Sequence, residues 1–460
     1  MRKGDQLTVE IIDVKFPNKP YGFFENRKVY PKSNCIPGQI VTGIIKRLKK
    51  DKIEIGNIEV IKKAENQTEP ECIHFEMCGG CTYQHLSYND QLALKEGQIR
   101  KLFSDNHIDS GNFTGIVPSS HQFGYRNKME LTFGNAEKDG PLTLGLHKRG
   151  SFYDIITISE CKLMDEDFNK ITNFTIEFFK KENLNFYHKM KHEGFLRNLV
   201  IRKGEFTGEL LINLITTSQL DYDITEWKNG ILNLKLSKKI IGLLWTINDN
   251  ISDMVNSERE EILYGEKDFH EKLLGYDFKI SPYSFFQTNS SGAELLYSKV
   301  LEFLPDTENK VIFDLFSGTG TIGQIIAKNA GYVYGIELIE EAVEKANENA
   351  GLNNIKNCKF IAGDVFKKVE ELREEGIKPD IIILDPPRPG VGQKALEKIL
   401  EFDMNDIIYV SCNPRTFIQD MEILMNAGFK ISKSTAVDMF PNTPHVESVA
   451  LLTKKDSLKS

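Results

Sequence analysis

A chain of 460 residues is too long for one ordinary hydrophobic core and is expected to divide into about three domains. Its 40% hydrophobic and 27% charged residues exclude wholesale disorder, no run reaches the ~18 apolar residues of a membrane span, and the opening Met1-Arg2-Lys3-Gly4-Asp5 has no signal-peptide core, so a cytoplasmic, membrane-free monomer is expected. A net charge of −8 argues against a polyanionic partner only if it is evenly spread; residues 1–63 hold 14 Lys and Arg against 7 Asp and Glu, which leaves −15 for the rest.

Residues 1–62 contain short alternating apolar runs, such as Leu7-Thr8-Val9-Glu10-Ile11 and Lys52-Ile53-Glu54-Ile55, separated by Gly, Pro and Asn. This spacing predicts a small antiparallel β-barrel. Its basic stretch Lys46-Arg47-Leu48-Lys49-Lys50 follows Phe16, Tyr21, Phe23, Phe24 and Tyr30. Cations that track phosphates and rings that stack on bases suit single-stranded RNA; a solvated lysine-rich face is the equal alternative. A polar linker is expected at 62–71.

The segment 63–280 reads as a central α+β domain, with a helix over 90–103 and strands over 129–133 and 209–215. Cys72, Cys78, Cys81 and Cys161 form its one conspicuous pattern, with Gly79-Gly80 in the tight turn. Four thiolates suit a [4Fe–4S] cluster or structural zinc, and the five-residue first gap exceeds the usual zinc-knuckle spacing and favours iron–sulfur. A fourth cysteine would close such a cluster, unlike radical enzymes that leave one iron open. Cys35 and Cys358 are expected to be structural thiols.

From 310 onward strand and helix alternate, which predicts a parallel sheet with strands at 311–316, 332–337, 358–364, 380–384 and 407–411. Two last runs, 429–439 and 448–453, predict an antiparallel pair at the sheet edge. The first strand runs into Ser317-Gly318-Thr319-Gly320, and the second ends on Glu337. Glycines let a ligand approach the backbone, and the carboxylate can take two ribose hydroxyls; the pattern favours S-adenosylmethionine over a dinucleotide. Gly318, Gly320 and Glu337 are therefore candidate cofactor residues, with Asp364 placed near the adenine or serving as a plain helix cap.

The fourth strand ends Asp385-Pro386-Pro387-Arg388, where an exocyclic-amine methyltransferase usually carries an aromatic in place of the arginine. Cys412 leaves the fifth strand in Ser411-Cys412-Asn413-Pro414, at the edge where such sheets bind ligands. Carbon 5 of uracil is too weak a nucleophile to take a methyl group until a thiolate adds at carbon 6. Cys412 is the candidate nucleophile, helped by nearby positive charge or by the substrate, with Arg415 as that cation or equally as a phosphate contact, and Glu447 is the candidate base that removes the carbon-5 hydrogen.

Taken together, the chain resembles the RNA uracil-5-methyltransferase family, specifically the cluster-bearing branch that acts on 23S ribosomal RNA. The resemblance rests on the cysteine quartet, Asp314-Leu315-Phe316-Ser317-Gly318-Thr319-Gly320, Asp385-Pro386-Pro387-Arg388, Ser411-Cys412-Asn413-Pro414 and His445-Val446-Glu447. It implies a multidomain α/β protein with a TRAM/OB-like β-barrel over 1–62, an iron–sulfur domain over 63–280 and a Rossmann-like class I methyltransferase domain over 281–460, with helix 90–103 packed on the latter. It also implies that Gln287, Phe316, Glu337 and Asp385 contact S-adenosylmethionine. A tRNA enzyme of the same chemistry and an RNA-binding assembly factor are the alternatives. A target base must leave its stack, so a hairpin or unpaired uridine is the expected substrate.

Overall fold

The computed structural model describes residues 1–251 and 259–454. Its first 62 residues form a six-stranded sheet in the order Gln6–Glu10, Ile40–Leu48, Lys52–Lys62, Arg27–Pro31, Lys19–Phe24, Asp13–Lys15. Alternation places Leu7, Val9, Val41, Ile53 and Ile55 in one core, with Cys35 among them. The sheet curls back so closely that a Cβ on Gly22 would stand 2.0 Å from the Glu10 carbonyl oxygen. One pairing departs from the antiparallel expectation: Arg27–Pro31 runs parallel to Lys52–Lys62.

A seven-stranded sheet follows, from Ile155–Thr157 at one edge to Arg259–Gly265 at the other. Helix Glu166–Lys181 packs on it, capped by Asp165, acidic in its first turn and basic in its last. Its Phe179 stacks on the fully buried Trp227, whose indole nitrogen donates to Thr175 Oγ1.

The third sheet has eight strands in the order Cys358–Ala362, Tyr332–Glu337, Val311–Leu315, Ile381–Leu384, Asp406–Ser411, Glu447–Lys454, Phe429–Val437, Asn112–Val117. The first five are parallel, and their strands are almost wholly apolar because helices cover both faces. The two C-terminal strands pair antiparallel as expected, but they are not the edge. That place belongs to Asn112–Val117, which lies parallel to Phe429–Val437 although the sequence puts it in the central segment. Its short run carries no clear period, so only the open edge of the sheet reveals where its backbone groups are satisfied.

Helix Tyr88–Asp105 lies beside this edge, and Lys95 Nζ donates to Asp438 Oδ1 at 2.6 Å with both side chains fully buried. Burial pulls the Lys95 pKa down while Asp438 pushes it up. Removing one partner strands the other charge, so Lys95→Ala is expected to destabilise the fold by roughly 3–5 kcal/mol. Chemical denaturation of this variant beside Lys95→Met/Asp438→Leu checks it: the double variant should recover most of the loss. Among the described residues no helix is long and apolar enough to cross a membrane.

Candidate active site

The strand Val311–Leu315 delivers its chain to the ligand edge through a left-handed turn. Phe316 has φ of 65°, unusual for an aromatic residue, and Gly318 and Gly320 follow at 53° and 73°. A Cβ on Gly320 would meet the Phe360 ring at 2.6 Å, so glycine is required there. The Gly318 amide donates to Glu337 Oε2 and the Ile339 amide to Oε1, each at 3.0 Å. Glu337 is thereby aimed across the loop with lone pairs to spare.

Beneath this loop the structure adds a residue that the sequence reading named only as part of a motif. Asp314 is fully buried; its Oδ2 accepts the Gly323 amide at 2.9 Å, while its Oδ1 and the Ser317 hydroxyl have no partner. Burial, then Asp385, raises the Asp314 pKa to about 8. Two unpartnered polar groups under a glycine cradle are what a polar ligand would satisfy. A lone acid inside the apolar run Val311-Ile312-Phe313-Asp314-Leu315 was the available signal.

Gln287 enters from the loop before helix Ser290–Phe303, its carbonyl accepting from Asn127 Nδ2 and its side chain near the hydroxyl of the buried Tyr297. Arg202 of the central sheet fixes this loop by donating to the carbonyls of Ser281, Pro282 and Ser284. Asp364 is exposed, and its Oδ1 accepts from the Phe366 and Lys367 amides, the helix-cap alternative.

The thiol and the proposed base meet through strand register. Ser411 faces Ser448 in the antiparallel ladder, so Cys412 and Glu447 are the next residues outward on adjoining strands. Asp385 leaves the neighbouring parallel strand at the same edge. Cys412 is half-buried, and burial, Glu447 and Asp385 raise its pKa to about 11, opposed by Arg388. Burial and then Asp385 lift Glu447 to about 8, again opposed by Arg388, and burial holds Asp385 at about 7.

The cation that opposes the upward shifts of Cys412 and Glu447 is Arg388, which the sequence reading noted only for not being aromatic. Arg415 is engaged elsewhere: its guanidinium donates to the Phe16 carbonyl and lies over the Phe16 ring. The reason is packing, since Phe16 leaves the N-terminal sheet to join the catalytic core. Phe16 and Tyr21 are both buried and cannot stack on a base, and Tyr30 lies under Lys52. Phe23 alone of the five aromatics stands well exposed, and Lys46, Arg47, Lys49 and Lys50 are exposed as well.

The cysteine quartet lines one cavity of about 370 Å³. Its turn is closed by Gln84, which accepts the Cys72 amide and donates to Cys81 Sγ at 3.2 Å, and by Arg149, which donates to the carbonyls of Phe75, Cys78 and Cys81. All four thiols are free, and among the described residues no three His, Cys, Asp or Glu side chains close up around a single metal ion. Cys358 is half-buried against the catalytic core.

With this geometry in place, a family model described as tRNA (uracil-5-)-methyltransferase matches residues 87–455. An uncharacterized RNA methyltransferase of Clostridium tetani is 48% identical over 458 residues, covering 100% of both chains, and one of Clostridium acetobutylicum is 47% identical over 455 residues, covering 99% of each. The chain is also similar to the crystal structure of Pyrococcus abyssi tRNA (uracil-54, C5)-methyltransferase in complex with S-adenosyl-L-homocysteine, at 29% identity and a TM-score of 0.74, covering 97% of this chain and 100% of that one. So wide a coverage takes in the N-terminal sheet and the cysteine-bearing segment as well as the catalytic domain.

Proposed function

Because the chain belongs to the tRNA (uracil-5-)-methyltransferase family, we propose that it methylates carbon 5 of an unpaired uridine in RNA, with Cys412 as nucleophile and Glu447 as base. The observation that carries this reading is the ladder register that sets Cys412 against Glu447 at the edge that also bears Asp385 and the glycine loop. Cys412 Sγ adds to carbon 6, making carbon 5 nucleophilic. When bound, S-adenosylmethionine supplies the methyl group that carbon 5 takes up. Glu447 then removes the carbon-5 proton, and the electron pair reforms the 5,6 double bond as Cys412 leaves as thiolate.

Glu337 would hold the ribose hydroxyls of the cofactor, Gly318 and Gly320 would give its chain close approach, and Phe316, Gln287 and Asp385 would enclose the rest. The unpartnered Asp314 Oδ1 and Ser317 Oγ favour a polar occupant of that cradle. Glu337→Ala should weaken S-adenosylhomocysteine binding about 10- to 100-fold, the loss of one charge-assisted hydrogen bond or slightly more. Titration calorimetry measures it directly, and unchanged affinity would remove Glu337 from the site.

Cys72, Cys78, Cys81 and Cys161 would hold a [4Fe–4S] cluster. Their common cavity is roomy, whereas tetrahedral zinc with Zn–S near 2.3 Å draws four sulfurs into close contact. With four cysteines on four irons, the group would cross-link the central segment and leave no iron open.

For the substrate we place 23S ribosomal RNA first, on the branch resemblance. A tRNA is the second reading, favoured by one observation: the archaeal enzyme named for tRNA uracil-54 shares nearly the whole length of this chain, so barrel and cysteine segment do not by themselves point to the ribosome. RNA substituted with 5-fluorouracil decides. Fluorine cannot leave as a proton does, so the enzyme should remain bound through Cys412 in a denaturation-resistant adduct. An adduct with 23S fragments supports the first reading, an adduct with tRNA only supports the second, and none with either favours a binding factor.

A further inference from the structure

The turn between Phe429–Val437 and Glu447–Lys454 is held far more tightly than a surface connection requires. Asn442, 2% exposed and left-handed at φ 67°, uses every polar atom it has. Its amide donates to Gln91 Oε1 at 2.8 Å, its Oδ1 accepts from Gln91 Nε2 at 3.0 Å, and its Nδ2 donates to the Gln122 carbonyl at 2.9 Å. Its carbonyl accepts from the amides of Thr82, at 2.7 Å, and Tyr83, at 3.0 Å. Thr82 directly follows Cys81, so the cysteine-bearing loop is pinned to this turn through backbone that cannot swing away.

Neighbours strengthen the same junction. Tyr125 Oη donates to the Pro441 carbonyl at 2.9 Å, and Asn289 Nδ2 donates to the Met439 carbonyl at 2.6 Å. Phe440 packs against the cluster of Cys72, Phe75, Cys81, Tyr125 and Leu163. From Asn442 the chain needs only Thr443, Pro444, His445 and Val446 to reach Glu447, and Thr443 Oγ1 takes the His445 amide on the way.

We propose that Asn442 is a positioning residue through which the cysteine-bearing loop, residues 72–86, together with Gln91 and the Gln122 carbonyl, fixes Glu447 for proton abstraction. Cys412 reaches the edge on its own strand, whose register does not pass through this turn, so addition to carbon 6 does not depend on the junction. The inference rests on the reading of Glu447 as the base. It assigns the cysteine loop a specific task in the reaction: the geometry of the third step, independent of the first.

Two variants and two RNAs test it. Asn442→Gly keeps the left-handed backbone and the carbonyl that Thr82 and Tyr83 bond to, but deletes the side-chain bonds to Gln91 and Gln122 that hold that carbonyl in place; Tyr125→Phe removes one hydroxyl from the same junction and keeps the packing. With 5-fluorouracil RNA, where proton abstraction is blocked in every enzyme, both variants should form the Cys412 adduct at the parent rate. With ordinary RNA, Asn442→Gly should turn over roughly 10- to 100-fold more slowly, the scale of an ångström-sized misplacement, and a methylated covalent adduct should accumulate; Tyr125→Phe should show the same shift at smaller amplitude. Parent turnover on ordinary RNA overturns the proposal, and so does an equal loss in both assays, which is what a purely structural role produces. If Asn442→Gly does not fold, Tyr125→Phe decides alone. Failure of the parent enzyme to form any fluorinated adduct strikes instead at the proposed function.

Discussion

Cys412→Ala is expected to lower methylation by at least about 10⁴-fold, the scale on which loss of a covalent nucleophile acts, and to abolish the fluorinated-RNA adduct without weakening S-adenosylhomocysteine binding. Cys412 is half-buried at the end of its strand, so alanine opens no deep cavity and the fold should persist. The thiol is not poised as a thiolate in the free protein. With its pKa near 11 it is ionised in roughly one molecule per thousand at pH 8, so alkylation of free Cys412 should be slow. Burial, Glu447 and Asp385 all disfavour the anion, and Arg388 opposes them. Arg388→Met should therefore slow adduct formation with fluorinated RNA, read as the rate of a gel-shifted band. A half-turnover activity in Cys412→Ala, or an adduct mapped by mass spectrometry to another cysteine, would sink the assignment.

The gathering of these residues at one edge was legible because they sit in strand-ending motifs, and strand ends in a parallel sheet share one edge. Glycine turns, Glu337 and Cys412 follow from that rule. What the rule does not supply is the partner across the ladder: Glu447 stands opposite Cys412 only because Ser411 registers with Ser448, and register belongs to the folded sheet. The effect of Arg388 on Cys412 and Glu447 was not visible for a related reason, since it depends on a loop whose carbonyl is tied back by Asn413 Nδ2. The aromatics of the N-terminal sheet looked alike in sequence, yet Phe16 and Tyr21 are consumed by packing while Phe23 stands exposed. Nothing local to Lys95 marks it as interior; a buried Asp438 more than 340 residues away makes it so. The strand Asn112–Val117 was invisible because its partner strand lies over 300 residues downstream.

Glu447→Gln should separate the steps of the reaction. Addition and methyl uptake need no base at this position, so ordinary RNA should become methylated and remain covalently attached, while turnover falls about 10²- to 10⁴-fold, the usual worth of a general base. The parent enzyme carries a second signature. With the Glu447 pKa raised to about 8 by burial and Asp385, the residue is protonated and idle below that pH, so turnover should rise as pH passes through about 8, whereas breakdown of the adduct in the glutamine variant should lose that dependence. The same proton is linked to stability. Between the ordinary carboxylate range and about 8 the native state holds a proton that the unfolded chain has released, so the stabilisation is complete at low pH and declines as pH rises through 8. Glutamine keeps the neutral form at every pH, and thermal unfolding of the variant should therefore fall less steeply between pH 5 and 9 than that of the parent. A variant that releases product normally while showing the flatter stability curve would place Glu447 in the buried acid cluster but not in the proton transfer, and the base would have to be sought in Asp385, a further carboxylate at the same edge.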